Sequence, residues 1–217
     1  MAKWTPDTGV DRMHGLINRT IQCFVRDTYG PQAWDRIALR AGTGITSFES
    51  MLVYEDEVTS IFLNACSADL NKPLDGLLED IGTYLVSHPN TESLRRLLRF
   101  GGGDFVEFLQ SLDDLPERAR LAVSDLELPE LELHEYGAVD YRLVCRSPMP
   151  GFGHVLVGVL RTMADDYGTL ACLDYGEGEG LEEFVEITLF ETEYSVGRSF
   201  TLGGHIAQPV EGSADDR

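Results

Sequence analysis

The chain has 217 residues, 43% of them hydrophobic, and no low-complexity tract, which fits one globular domain of ordinary size. No apolar run reaches the roughly 18 residues of a membrane span, and the N-terminus lacks the apolar segment of a signal peptide. We therefore expect a cytoplasmic protein. The formal net charge of −20 argues against nucleic acid or an anionic membrane as a partner, because both would be repelled.

The chain shows no motif of a catalytic or metal site. It has no GxSxG elbow, P-loop or GxGxxG turn, and its histidines lack the HxxxH or HExxH spacing of metal ligands. The sequence thus predicts a protein that is not an enzyme. The cysteines form no CxxC pair and are expected to be free, mostly buried thiols: Cys23, Cys66, Cys145 and Cys172.

Roughly the first 120 residues predict a succession of amphipathic helices. Ile17, Ile21, Phe24 and Val25 form the first apolar stripe, and a Gly-Pro step then separates two helices. Gly42–Ser50 is predicted to be a loop. Further apolar stripes at the helical period predict helices over 34–41, 54–70, 73–88 and 94–98.

A glycine-rich turn at Gly101–Gly103 opens the stretch Phe100–Pro129, which predicts two consecutive helical runs. Asp104 is predicted to cap a helix, with Glu107 three residues later as in a capping box. The apolar face of this helix, and its continuation into a second helical run, is predicted to consist of Phe105, Phe108, Leu109, Leu112, Leu115 and Leu121.

Beyond residue 126 the pattern changes to short runs with partial alternation, which predicts strands. They lie at Leu131–Leu133, Tyr141–Arg146, Leu170–Tyr175 and Val185–Phe190, with a helix at Phe152–Tyr167 between the second and third. The order predicts an α+β fold, in which an N-terminal helical subdomain packs on a C-terminal subdomain with a four-stranded, mainly antiparallel sheet. We place an extension at 1–12, the domain at 13–195 (helical to about 125), and a polar tail at 196–217.

Two phrases in this chain resemble the H-NOX (haem nitric oxide/oxygen binding) domain family. Tyr29 to Ile37 matches the phrase YGxxxWxxI, and Phe108 to Leu115 matches FLxxLDxL, from the helix that carries the haem in this family. The predicted elements also follow the H-NOX order from about Met13 to Phe190. The resemblance implies the H-NOX fold, a haem cofactor, and a sensory role toward nitric oxide or oxygen.

The chain departs from the family at the residues that hold haem. The residue after FLxxLDxL is normally the axial histidine of the iron, and here it is Pro116. The family clamps the haem propionates with Tyr-x-Ser-x-Arg, and here Cys145 replaces the tyrosine, Ser147 is retained, and Met149 replaces the arginine. These departures predict a degenerate haem site that is haem-free or takes a non-haem apolar ligand.

The resemblance implies further residues of the pocket. Phe108, Leu112 and Leu115 would line it from the haem-binding helix, Ile17 would lie over the distal face, and Pro129 stands at a proline that presses on the porphyrin. His154 stands where some members carry a distal tyrosine. It is a candidate hydrogen-bond donor or unusual iron ligand, or else an ordinary, partly buried histidine of a helix.

Two hypotheses of function therefore remain open. The first is a stand-alone, H-NOX-type sensory regulatory protein whose haem site is lost. The second is a haem-binding gas sensor with atypical axial ligation, through His154. By resemblance, either would act on a signalling enzyme in trans, such as a histidine kinase or a cyclic-dinucleotide enzyme.

Overall fold

The computed structural model describes residues 12–124, 126–147 and 149–190. The predicted tail at 196–217, and the predicted extension apart from its last residue, lie outside this part. Within it, no helix is long and apolar enough to cross a membrane.

The N-terminal half is helical, as predicted. In chain order its helices are α1 (Gly15–Tyr29), α2 (Pro31–Ala41), α3 (Asp56–Leu70), α4 (Leu74–Ser87), α5 (Glu92–Arg99), α6 (Phe105–Gln110) and α7 (Leu115–Ala122), with a tight helical turn at Pro89–Thr91 before α5. Pro31 opens α2, and α4 ends immediately before the His88–Pro89 step, because proline disfavours helical geometry in the residue before it.

The cap of α6 forms as predicted. The Asp104 carboxylate accepts a hydrogen bond from the Glu107 backbone N–H at 2.9 Å, and the Glu107 carboxylate accepts one from Gly103 N–H at 2.8 Å. The return bond of a capping box usually reaches the capping residue itself, and here it reaches the residue before it. The prediction that Leu121 continues the apolar lining is wrong, since this side chain is 90% exposed on the outer side of α7.

A small two-stranded ladder was not predicted. β1 (Arg12–His14) pairs antiparallel with β2 (Val53–Glu55), so the start of α1 is tied to the segment before α3. Strands of three residues are too short to show an alternating pattern in the sequence. Residue 54, predicted as the first of a helix, belongs to β2 instead.

The C-terminal half carries the predicted four-stranded sheet. It consists of β3 (Glu130–Glu135), β4 (Asp140–Arg146), β5 (Leu170–Glu177) and β6 (Glu182–Phe190), in the order β3-β4-β6-β5 with every neighbouring pair antiparallel. Helix α8 (Phe152–Tyr167) packs on one face of the sheet. That face supplies buried Leu143, Val185 and Ile187, whereas Arg142 and Glu186 form an ion pair on the other face.

Helix α8 joins the two halves through a contact between main chains. A Cβ atom added at Gly158 of α8 would lie 2.0 Å from the carbonyl oxygen of Glu79 in α4. A Cβ atom added at Gly82 of α4 would lie 2.1 Å from the carbonyl oxygen of Val155 in α8. The two helices approach this closely because both residues at the crossing lack a side chain.

Buried carboxylates fix both ends of α8. At its N-terminus, Glu183 of β6 accepts hydrogen bonds from the backbone N–H groups of Gly151 and Gly153, the latter at 2.6 Å. An anion is favoured there by the helix dipole. Near its C-terminus, Asp166 accepts hydrogen bonds from Arg95 of α5, which raises the pKa of that guanidinium. The position of α8 is therefore set by the sheet at one end and by α5 at the other.

The crossing of α4 and α8 gives a test of stability. Gly158→Ala is expected to lower the free energy of unfolding by about 1–3 kcal/mol, the usual cost of overpacking, because the contacts are main-chain atoms that cannot rotate away. Urea unfolding followed by circular dichroism measures this change.

Gly76→Ala on α4 is the matched control. Its added Cβ atom meets nothing closer than Pro73 Cγ at 3.7 Å. Alanine has the higher helix propensity, so this variant should be as stable as the parent or more stable by about 0.5–1 kcal/mol. Equal stabilities of the two variants would contradict the close crossing.

Candidate ligand-binding site

A cavity of about 530 Å³ lies among helices α1, α4, α5 and α7 and the first turn of α8. This volume lies within the roughly 300–1,000 Å³ of small-molecule sites. Among the described residues, the wall is apolar except for the hydroxyl groups of Thr20 and Ser93, and it includes Leu78 and Ile81 of α4 and Val155 of α8. We call this space the apolar cavity.

A second cavity of about 400 Å³ adjoins it. The two spaces share four lining residues: Ile17, Leu128, Met149 and Phe152. The second wall also carries charged and hydroxyl groups: Arg120, Glu127, Glu130, Arg146 and Ser147. We call this space the polar cavity. The apolar cavity and the polar cavity are thus neighbours, separated by the side chains that line both.

The charges of the polar cavity are partly paired. Arg146 lies 2.9 Å from a carboxylate oxygen of Glu132 and 3.2 Å from one of Glu182. The hydrogen bond between Arg146 and Glu132 raises the pKa of the guanidinium and lowers that of the carboxyl. The Ser147 hydroxyl, only 5% exposed as a residue, accepts a hydrogen bond from the Met149 backbone N–H at 3.1 Å.

Half of the predicted site residues line this site. Ile17 and Met149 line both cavities, Leu115 lines the apolar cavity, and Pro129 and Ser147 line the polar cavity. Four others are buried but line neither: Phe108, Leu112, Pro116 and Cys145. Phe108, Leu112 and Cys145 belong to the hydrophobic core of the domain.

The structure does not bring His154 to either cavity. Its ring stacks on Tyr175 of β5 with centroids 3.9 Å apart, and its Nδ1 lies 3.8 Å from the Glu79 carboxylate. Successive residues of a helix point about 100° apart. Val155, the next residue of α8, therefore faces the apolar cavity while His154 faces the sheet.

The donor atoms around the cavities do not fit a haem held by the usual axial ligands. Those ligands are histidine, cysteine, tyrosine and, together with histidine, methionine. Among the described residues that line either cavity there is no histidine, cysteine or tyrosine, and only Met13 and Met149 offer sulfur. Burial raises the pKa of the Cys145 thiol to about 12, which keeps it neutral. Nor do any three His, Cys, Asp or Glu residues cluster as metal ligands in the described part.

Several lining residues were not predicted from the sequence. They are on α4, α5 and α7: Leu78, Ile81, Leu94, Leu97, Ala119 and Arg120. The helical period showed that most of these side chains face inward, yet it did not show whether they face the core or a cavity. Arg120 carried no signal, because a lone arginine on a helix is usually solvated.

A helical half covering an antiparallel sheet, with this site among the helices, defines a domain of the H-NOX type. The family described as Haem-NO-binding matches residues 14–171. The chain belongs to this family.

Solved structures agree on the fold. An Fe(II) unliganded H-NOX protein from K. algicida superposes with a TM-score of 0.71 at 21% identity, over 84% of this chain and 99% of that one. An H-NOX protein from S. oneidensis in the Fe(II)NO ligation state gives a TM-score of 0.66 at 16% identity, over 82% of this chain and 100% of that one. The predicted fold class is confirmed.

Curated relatives are soluble guanylate cyclases. The chain is 25% identical over 154 residues to guanylate cyclase gcy-31 of Caenorhabditis elegans, covering 71% of this chain and 22% of that protein. It is 22% identical over 155 residues to guanylate cyclase 89Db of Drosophila melanogaster, covering 71% and 23%. The chain thus spans about a fifth of the length of these relatives.

Thiol labelling tests whether the buried Cys145 thiol is unreactive in the folded protein. Burial raises the pKa of Cys66 and Cys145 to about 12, whereas Cys172 is exposed. Because the thiolate is the reactive form, iodoacetamide at mildly alkaline pH is expected to modify Cys172 in the folded protein and to leave Cys66 and Cys145 unmodified until denaturant is added. Peptide mass spectrometry reads out each site. Labelling of Cys145 as fast as Cys172 would contradict the burial.

Proposed function

We propose that this protein is a sensory, ligand-binding regulatory domain of the H-NOX type with a degenerate haem site, whose apolar cavity takes a non-haem ligand. The observation that carries the proposal is the set of donor atoms at the cavities. Pro116 stands at the position that the resemblance assigns to the axial histidine, and no imidazole lines either cavity in the described residues.

The losses reinforce one another. Iron without a proximal bond could still be held through its porphyrin, and a porphyrin without a clamp could still be held through its iron. Here Pro116, Cys145 and Met149 replace one axial and two clamp residues. The Met149 side chain, in place of a cation, leaves an apolar wall between the two cavities. An apolar ligand gains about 25 cal/mol for each Å² that it removes from water there.

Family membership favours haem-based gas sensing as the second candidate function. Such a sensor would need an axial ligand that reaches the site. His154 would have to leave its stacked position on Tyr175, and Met149 already lines both cavities. Both residues are therefore the ligands to test if haem binds.

We further propose that a signalling enzyme reads the state of the cavity, as a catalytic partner does in regulatory systems of this kind. The relatives are guanylate cyclases, and by resemblance a histidine kinase or cyclic-dinucleotide enzyme would serve equally. A bound ligand would contact Phe152 and Val155 of α8, whose backbone crosses α4 and whose first turn is held by Glu183. Ligand binding in the cavity could thus move α8, and the movement of α8 would change its contact with the sheet.

Hemin titration separates the two candidates. We expect added hemin to give no sharp, stoichiometric Soret band, because the described residues of the lining include no imidazole. The uncharged fluorophore N-phenyl-1-naphthylamine is expected to bind saturably at one site per chain, since its rings match an apolar cavity. A stoichiometric Soret band that is lost in His154→Ala or Met149→Ala would instead establish haem ligation and overturn the proposal.

Filling the cavity tests where the fluorophore binds. Leu97→Trp places a larger side chain on α5 at the wall of the apolar cavity and is expected to weaken fluorophore binding at least tenfold. Leu39→Trp, on α2 at a side chain that is 84% exposed, is the matched control and should bind as the parent does. Equal binding by both variants would show that the fluorophore occupies another site.

A further inference from the structure

We propose that the ligand is an amphiphile, with an apolar body in the apolar cavity and an uncharged oxygen acceptor, such as an ester, amide or alcohol oxygen, in the polar cavity. This inference rests on the proposed function and adds to it the chemical class of the ligand. It follows from three features of the site: the adjacency of its two cavities, its hydrogen-bond donors and its balance of charge.

The two cavities adjoin across shared side chains, so a ligand that displaces the flexible Met149 side chain would extend from one cavity into the other. Ile17 on α1 and Phe152 on α8 line both spaces, and so does Met149 in the turn between β4 and α8. These shared walls are apolar. A ligand that passes between them buries hydrocarbon on both sides and carries its polar group only at the far end.

Two hydrogen-bond donors line the polar cavity without a hydrogen-bond acceptor in the described residues. The Ser147 oxygen accepts from Met149 N–H, and within the described residues its hydroxyl proton has no acceptor. Arg120 lines the same cavity and has no ion-pair partner among residues 12–124, 126–147 and 149–190. A carbonyl or hydroxyl oxygen accepts hydrogen bonds, so an end group of either kind supplies the acceptor that these donors lack.

The surrounding charges disfavour an anionic end group, and the two donors disfavour a cationic one. Glu127 and Glu130 line the polar cavity, and Arg146 is already paired with Glu132 and Glu182. A carboxylate end group would meet Arg120 but would also face these acidic residues in a chain of net charge −20. An ammonium end group has donors only, so it would leave Ser147 and Arg120 without an acceptor.

Competition against N-phenyl-1-naphthylamine tests the end group. The competitors share one decyl chain and end in a methyl ester, an alcohol, a carboxylate, an ammonium or a plain methyl group. The methyl ester and the alcohol are expected to displace the fluorophore at lower concentration than the other three. Comparing the ester with the alcohol then distinguishes an esterified lipid from a free alcohol as the source of the oxygen.

Variants locate the oxygen. Ser147→Ala and Arg120→Gln should each weaken the methyl ester roughly two- to tenfold, the value of one hydrogen bond. Neither substitution should change the affinity for the plain alkane. An unchanged alkane affinity also shows that the cavity is intact in the variant. Arg26→Gln, an exposed arginine of α1 that lines neither cavity, is the control for loss of positive charge and should change neither affinity.

The outcomes separate this inference from the proposed function. Equal displacement by the alkane and the ester, or tightest binding of the carboxylate or the ammonium, overturns the uncharged polar end while the apolar ligand site stands. Equal losses for ester and alkane in Ser147→Ala and Arg120→Gln also overturn it, since a hydrogen bond acts only on the ester. Absence of fluorophore binding, or a stoichiometric Soret band, overturns the proposed function itself.

Discussion

The crossing of α4 and α8 at Gly82 and Gly158 is the contact on which the rest of the domain depends. Each glycine faces a carbonyl oxygen of the other helix, which lies too close to leave room for a Cβ atom. Leu78 and Ile81 of α4 and Val155 of α8 lie near this crossing and line the apolar cavity. Helix α8 also packs on the sheet, so the same helix belongs to the cavity wall and to the cover of the sheet.

The site combines an apolar cavity with a polar end, and in the described residues it offers no imidazole to an iron atom. The chain belongs to the Haem-NO-binding family, and the proposal that its cavity takes a different ligand rests on this lining. Physically this is reasonable, because the cavity is built by helix packing and not by iron. Under that proposal, Pro116, Cys145 and Met149 stand at the positions that hold haem in the family, while packing between helices keeps the cavity open.

Prediction from the sequence succeeded where a pattern is local. The helical period and the Gly-Pro and His-Pro steps located the helices, and partial alternation located the strands of the sheet. It failed at Leu121, because the period identifies an apolar residue but not whether another element covers it. The ladder of β1 and β2 escaped notice because its strands have three residues each.

The sequence by itself determined the order of elements, the family resemblance and the proline at position 116. Only the tertiary structure decided which apolar faces surround a cavity, because helical periodicity defines a face but not its partner. It also placed His154 against Tyr175, withdrew Cys145 into the core, and brought Arg120 of α7 to the cavity that Ser147 lines. These contacts join residues that are far apart in the chain. They are determined by packing between helices and strands and not by a local sequence pattern.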